Sequence, residues 1–290
     1  MWGLTLTLRV SDVMTPQVVV ISPKDTLARA RNLMLHHDIS RLVVVDETLK
    51  PIGILTETNI AMKVWEESGG RIARTIDEIL VEEVMSSPVI TIGPRTYLKN
   101  AARIMVKRKI SGLPVTDSSG RLLGIVTKTD LTRAYALYYS GYFKVSDIMS
   151  TPVVTVNPAH TVYRVGRLMK EHGISRVVVV DGKVPIGVIT KTDLTFITLT
   201  THPRRLKFVK AIASEGKVSR VVKIFRIPIV ADMMTSNPIT ILEDEDSAKA
   251  AEIMIRNGIS GLPVVNSDGE LTGIITKTDI VKAMAKMDSR

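Results

Sequence analysis

The feature that most constrains the fold is a pattern that occurs four times along the chain of 290 residues. Each copy begins with a short turn ending in Met, and Ile followed by Ser comes 25 residues later. A Gly lies 39 residues after the Met in the first, second and fourth copies and 38 residues after it in the third, and Thr always follows three residues later. The leading residues are Met14, Met85, Met149 and Met234.

The repeated units keep one length while the spacers between them vary. A solenoid would keep a constant period, so the pattern predicts discrete small modules joined by linkers. The predicted repeats cover residues 10–61, 81–134, 145–195 and 230–283. The longest spacer, residues 196–229, is a separate basic insert.

Each repeat is predicted to fold as β-α-β-β-α, in an α+β class. The apolar runs 42–46 and 177–180 favour strands covered on both faces. A Met at one helical position of every copy is expected to pack in the core: Met34, Met105, Met169 and Met254. Because a unit of about 50 residues buries little apolar surface alone, we expect repeats 1 and 2 to pair, and repeats 3 and 4.

The sequence Thr-Lys-Thr-Asp stands at a predicted strand-to-helix junction in three repeats, at 127–130, 190–193 and 276–279. Free N–H groups at a helix start attract anions, and Thr hydroxyls there can cap the helix or donate to phosphate. An Asp one turn inside can accept hydrogen bonds from the hydroxyls of a ribose. The alternative is ordinary helix capping, and recurrence at one register is also compatible with a duplicated cap.

These signals together resemble the cystathionine-β-synthase (CBS) domain family. The signals are the VMT or VMS start, the ISRLVVVD or ISGLPVVN strand and the G-I-x-T-K-T-D ending. In its four copies the chain is similar to the γ subunit of AMP-activated protein kinase and its archaeal relatives. The resemblance implies two pairs of repeats (Bateman modules) in a disk-like assembly that binds AMP, ADP or ATP, with S-adenosylmethionine as a further ligand and no required cofactor.

The resemblance also implies which residues bind the ligand. The ribose carboxylates would be Asp130, Asp193 and Asp279. The hydroxyls near ribose and phosphate would be Thr127, Thr129, Thr190, Thr192, Thr276 and Thr278. Partner repeats would form the adenine wall, with Thr155 and Ser175 at the Asp279 site, Thr240 and Ser260 at the Asp193 site, and Val20 and Ser40 at the Asp130 site. Arg41 and Arg176 would reach phosphate, or else form surface ion pairs or a solvated edge.

The first repeat departs from the pattern. Asn59 replaces the ribose Asp, so this site can hydrogen-bond a hydroxyl only without charge assistance. The family's common His before the Arg is Ser40 and Ser175 here.

The basic insert suggests an alternative function. The chain has 39 Lys and Arg against 29 acids, and the insert contributes eight basic residues against Glu215 alone. If 217–226 is helical, its basic residues form a stripe beside an apolar one, which suits nucleic acid binding through 204–226 or an acidic partner. Solvated charges on a connector are the other interpretation.

Composition and motifs narrow the possible classes of function and the compartment of the protein. The chain has no Cys, which excludes disulfides and thiolate chemistry and fits a cytoplasmic protein. We find no secretory signal, membrane span, metal-ligand spacing or catalytic motif, and predict a regulatory binding protein rather than an enzyme. Since the repeats use up the chain, its signal must pass to another polypeptide or to a second copy, as in a homodimer.

Overall fold

The computed structural model describes residues 8–68, 74–194, 209–210, 221–222 and 228–287. This part of the chain mixes α and β elements, and a similar order of elements recurs in all four repeats, which confirms the predicted fold class. The described residues divide into two compact units. Unit 1 lies within 1–150, 241–264 and 274–290, and unit 2 lies within 151–240 and 265–273.

Repeats 1 and 2 each open with a 3-10 turn, Val10–Asp12 and Val81–Glu83. Repeat 1 continues with β1 (Val20–Ile21), α1 (Leu27–His37), β2 (Arg41–Val45), β3 (Pro51–Thr56) and α2 (Glu57–Ser68). Repeat 2 continues with α3 (Leu98–Arg108), β4 (Gly112–Thr116), β5 (Leu122–Thr127) and α4 (Lys128–Tyr138). The sheet of repeat 1 has the order β1-β2-β3, with β1 parallel and β3 antiparallel to β2.

Repeats 3 and 4 follow the same plan. Repeat 3 contains α5 (Val145–Ile148), β6 (Thr155–Val156), α6 (Val162–Glu171), β7 (Arg176–Asp181), β8 (Val184–Thr190) and α7, described over 191–194. The pair β9 (Val209–Lys210) and β10 (Val221–Val222) comes next. Repeat 4 has a 3-10 turn (Val230–Asp232), β11 (Thr235–Ser236), β12 (Ile241–Leu242), α8 (Ser247–Arg256), β13 (Gly261–Val265), β14 (Leu271–Thr276) and α9 (Lys277–Lys286).

Paired repeats exchange their leading segments. Thr15 of repeat 1 bridges Ile125 in β5 of repeat 2, and Ser86 of repeat 2 bridges Ile54 in β3 of repeat 1. In unit 2, β11 of repeat 4 lies antiparallel to β8 of repeat 3. Each strand ladder is thus completed by a neighbouring repeat, as expected for units too small to fold alone. The disk-like assembly stays a prediction.

The repeated Met and Gly meet across this exchange. A Cβ added at Gly53 would lie 2.5 Å from Met85 Sδ, and one added at Gly187 would lie 2.6 Å from Met234 Sδ. The leading Met of one repeat therefore packs on the bare backbone of its partner's last strand. This contact explains why the two residue types recur at a fixed register in the sequence.

We expect Gly124→Ala to destabilise the fold by about 1–3 kcal/mol, because overpacking forces the backbone to shift. Its new Cβ would lie 2.8 Å from the carbonyl oxygen of Thr15 and 3.0 Å from Met14 Sδ. Urea unfolding measures the loss, with Gly93→Ala as the control, since a Cβ there meets nothing within 4 Å. A loss no larger than that of the control would contradict this packing.

The largest apolar cluster of unit 1 joins the helices of repeats 2 and 4. Tyr135 of α4 is fully buried in it, and its hydroxyl shares a 2.9 Å hydrogen bond with Ser247 Oγ of α8. Ser247 Oγ in turn donates to the carbonyl oxygen of Phe143 at 2.8 Å. Residues 135–138, interpreted from sequence as the start of a spacer, are the last turn of α4.

The predicted core residues are buried. The four Met residues at the shared helical position are at most 2% exposed. The central valines of the two apolar runs, Val43, Val44, Val177, Val178 and Val179, are fully buried. Both core predictions are confirmed.

The basic insert lies mostly outside the described residues. Of the stretch 217–226 only Val221 and Val222 are described, and they pair with Val209 and Lys210 as a short antiparallel ladder. The helical interpretation is wrong for these two residues, whose β-branched side chains suit a strand. The basic side chains on which the nucleic-acid alternative depends are not described, so that alternative stays a prediction.

Candidate functional site

Each Thr-x-x-Asp corner is a strand-to-helix junction held by a reciprocal cap. At the Asp130 corner (127–130), Asp130 Oδ2 accepts a hydrogen bond from the Thr127 backbone N–H at 2.8 Å and from its hydroxyl at 2.6 Å. The Asp130 N–H donates to Thr127 Oγ1 at 3.4 Å. The same capping box forms at the Asp193 corner (190–193) and the Asp279 corner (276–279).

The second carboxylate oxygen faces away from the cap. Asp130 Oδ1 accepts from Arg133 Nη1 at 3.1 Å. Asp279 Oδ1 accepts from Ser150 Oγ at 2.9 Å and from Lys282 Nζ at 3.3 Å. Both carboxylates are nearly buried, at 4% and 3% exposure. One oxygen of each Asp therefore maintains the fold, and a ribose hydroxyl would have to bind at Oδ1, beside a cation one helical turn away.

The corner of repeat 1 (the Asn59 corner, 56–59) keeps the cap without the charge. Asn59 Oδ1 accepts from the Thr56 backbone N–H at 3.0 Å and also from the Thr56 hydroxyl. Glu57 stands where the other corners have Lys, and burial raises the pKa of its carboxyl while Arg41 lowers it. This corner therefore presents an acid where the other three present a base, which suits an anionic ligand less well.

Arg41 of repeat 1 reaches across to repeat 2. Its Nη1 donates to Ser111 Oγ at 3.0 Å, and a Cβ added at Gly112 would lie 2.8 Å from the same nitrogen. Burial lowers the pKa of the Arg41 guanidinium, and the nearby charges of Asp130 and Glu57 raise it. Gly112 thus makes room for a partly buried cation whose charge acts on Asp130, and the predicted contact of Arg41 with phosphate stays a prediction.

The starts of α4 and α9 face each other within unit 1. Lys128 Nζ donates to Thr278 Oγ1 at 2.9 Å, and Lys277 Nζ donates to Thr129 Oγ1 at 3.2 Å. Burial lowers the pKa of Lys128, the cations of Arg41 and Lys282 lower it further, and Asp279 raises it. The Asp130 and Asp279 corners are therefore joined by a cation cluster, which we define as Arg41, Lys128, Lys277 and Lys282.

The other predicted residues lie in their own units. In unit 2, Thr155, Ser175 and Thr192 are exposed, while Thr190, Asp193, Arg176 and Thr240 are partly buried. In unit 1, Ser40 and Ser260 are exposed, while Val20, Thr276 and Thr278 are partly buried. Whether the residues of unit 1 and unit 2 form shared sites stays a prediction.

Two predicted adenine-wall residues line cavities at equivalent places of repeats 1 and 3. Val20 and Val45 border a cavity of about 690 Å³ in unit 1. Thr155 and Val180 border one of about 280 Å³ in unit 2. Among the described residues, none of a Thr-x-x-Asp corner lines either cavity, so the adenine wall stays a prediction.

Sequence reasoning missed several polar residues of these corners. Ser111 is the Ser that follows Ile in repeat 2, and Ser150 follows the leading Met of repeat 3, so both stand in the repeated pattern but were given no role at these corners. Arg133 and Lys282 could have been found from their spacing, three residues after the Asp. The lysine within Thr-Lys-Thr-Asp was visible as a repeated residue but was given no role.

The four repeats match one known family. The CBS domain model matches residues 10–66, 81–137, 145–198 and 230–286, well over half of the chain. The chain belongs to the CBS domain family. The predicted resemblance is thereby confirmed, and the corners described above are strand-to-helix corners of CBS repeats.

Similar proteins include chains of an archaeon. MJ1225 of Methanocaldococcus jannaschii is 26% identical over 279 residues, covering 93% of this chain and 96% of that protein. The crystal structure of MJ1225 is described as that of a proposed archaeal homologue of g-AMPK. It superimposes over 96% of this chain and 100% of its own, with a TM-score of 0.77 and 24% identity. The two proteins therefore have the same fold. MJ1404 of the same organism is 28% identical over 280 residues, 96% of this chain but 62% of its own length.

CBS repeats also occur within enzymes. A segment of 114 residues is 36% identical to inosine-5'-monophosphate dehydrogenase of Korarchaeum cryptofilum, covering 39% of this chain and 21% of the enzyme. Within the described ranges, no group of His, Asp or Glu is arranged to hold a metal ion. In the same ranges, no helix is both long and apolar enough to cross a bilayer.

Proposed function

We propose that this CBS protein is a regulatory protein that binds adenosine ligands, namely AMP, ADP or ATP, with S-adenosylmethionine as a further candidate. Occupied corners would favour one packing of the modules over another, and a partner polypeptide or a second copy would respond to that packing. The ligand must bind the two arrangements with different affinity to shift their populations. Binding without turnover is expected, so that ATP is recovered unchanged.

The observation that carries the proposal is the meeting of Arg41 with the Asp130 corner. The partly buried guanidinium of Arg41 lies within electrostatic reach of Asp130, and the same corner has a helix start, two threonine hydroxyls and a carboxylate oxygen, Oδ1, that takes no part in the cap. Such a corner can bind an anion through the cation and the helix start, and a vicinal diol through the carboxylate. Adenosine nucleotides carry both groups on one molecule.

We expect Arg41→Met to weaken AMP binding about tenfold and to leave adenosine binding within twofold, because only AMP carries the phosphate. Isothermal titration calorimetry with both ligands measures the difference. Gly112→Ala should act in the same direction, since its Cβ displaces the guanidinium. Arg31→Met removes an exposed arginine of α1 and is the control. Equal losses of affinity for AMP and adenosine, or no loss for either, would refute the phosphate role of Arg41.

A further inference from the structure

The crossed lysines of the cation cluster have no role in the proposal above. Lys128 opens α4 of repeat 2, yet its ammonium donates to Thr278 at the Asp279 corner. Lys277 opens α9 of repeat 4, and its ammonium donates to Thr129 at the Asp130 corner. Each side chain therefore leaves its own repeat and ends at a hydroxyl of the other.

The chemistry of these hydroxyls suits an anion. A threonine oxygen that accepts a hydrogen bond from lysine keeps its own proton for donation to a second acceptor. Thr129 and Thr278 then each offer an O–H donor with an ammonium 3.2 Å and 2.9 Å away. A phosphate oxygen that accepts a hydrogen bond from such a hydroxyl also has the lysine ammonium nearby as a charge-assisted donor.

The local charge balance points the same way. Lys128 lies in the electrostatic field of two cations, Arg41 and Lys282, and of one carboxylate, Asp279. The carboxylate of Asp279 is already engaged by Thr276, Ser150 and Lys282. A bound anion would relieve this repulsion, because like charges interact strongly where water is partly excluded.

We propose that Lys277 is a phosphate-binding residue of the Asp130 corner and that Lys128 is a phosphate-binding residue of the Asp279 corner. Each of these repeats thus supplies the cation for the anionic group held at the other. This assignment rests on the proposed function for the adenosine part of the ligand, but it applies to any phosphate that binds there.

The test separates the two corners. The first background is the double variant Asp193→Asn, Asp279→Asn, which keeps the ribose carboxylate only at the Asp130 corner. The second background is Asp130→Asn, Asp193→Asn, which keeps it only at the Asp279 corner. In the first background, Lys277→Met is expected to weaken AMP binding about tenfold by calorimetry and Lys128→Met less than threefold. In the second background the order should reverse. Lys286→Met, at the exposed end of α9, is the control.

A purely structural role predicts a different result. If the lysines only hold repeats 2 and 4 together, adenosine and AMP will weaken equally, and Lys→Arg will not restore the AMP preference. That result, or a stronger effect of each lysine on its own repeat's corner, overturns the assignment. Inorganic pyrophosphate is the second probe. If pyrophosphate binds, both Lys→Met variants weaken its binding and no adenosine ligand binds, then the adenosine proposal fails and the lysine assignment stands. If neither pyrophosphate nor an adenosine ligand binds, both proposals fail.

Discussion

The variant that combines Asp130→Asn, Asp193→Asn and Asp279→Asn is expected to stay folded and to lose about 1–2 kcal/mol of adenosine-ligand binding per site. Asn retains the carbonyl oxygen that caps the corner, and Asn59 already shows this arrangement, accepting from the Thr56 N–H at 3.0 Å. It replaces Oδ1, which takes no part in the cap, by an amide, which offers no charged acceptor to a ribose diol. Calorimetry with AMP and ATP measures the loss, and circular dichroism checks the fold.

The corresponding Ala variants separate capping from binding. Asp→Ala removes the acceptor of the Thr backbone N–H together with the charge, and loss of such a capping hydrogen bond costs about 1 kcal/mol of stability. We therefore expect the Ala variants to melt earlier than the Asn variants while both bind ligand weakly. Unchanged affinity at every site of the triple Asn variant would refute the ribose role and leave the corners as duplicated caps.

The second large effect concerns stability. Tyr135→Ala should destabilise the fold by about 3–5 kcal/mol, because it removes a fully buried aromatic ring from the cluster that joins repeats 2 and 4. Tyr135→Phe should cost about 1 kcal/mol, since only the hydrogen bond with Ser247 is lost. Denaturant unfolding followed by circular dichroism measures both losses.

The matched control is on the same helix. Tyr138 is 48% exposed, so Tyr138→Ala should change the free energy of unfolding by less than 1 kcal/mol. Similar losses for the two Ala variants would mean that the contact between α4 and α8 contributes little to stability.

The repeat register made much of the fold predictable. Residues that recur at one position must meet similar surroundings, so the shared Met of the first helices, the apolar runs and the Thr-x-x-Asp junctions could be assigned from spacing alone. The corners form the predicted helix starts because Thr and Asp satisfy each other's backbone N–H groups. The same register identified Asn59 as the exception.

Contacts between repeats could not be predicted in this way. Arg41 and Ser111 are 70 residues apart, and Lys128 and Thr278 are 150 residues apart. Periodicity says which residues are equivalent but not which equivalents face each other across an interface. Nothing in the local sequence shows that the ammonium groups of these lysines end in another repeat.

The exchange of leading segments has a consequence for synthesis on the ribosome. Met14 packs at Gly124, and Thr15 hydrogen-bonds with Ile125, so the first residues of repeat 1 obtain their partners only when most of repeat 2 has been made. A nascent chain halted between the two repeats would leave the edge of β3 open, because Ser86 is still missing. The smallest fragment worth expressing from this end is therefore a pair of repeats, and deletions designed one repeat at a time would expose unpaired strands.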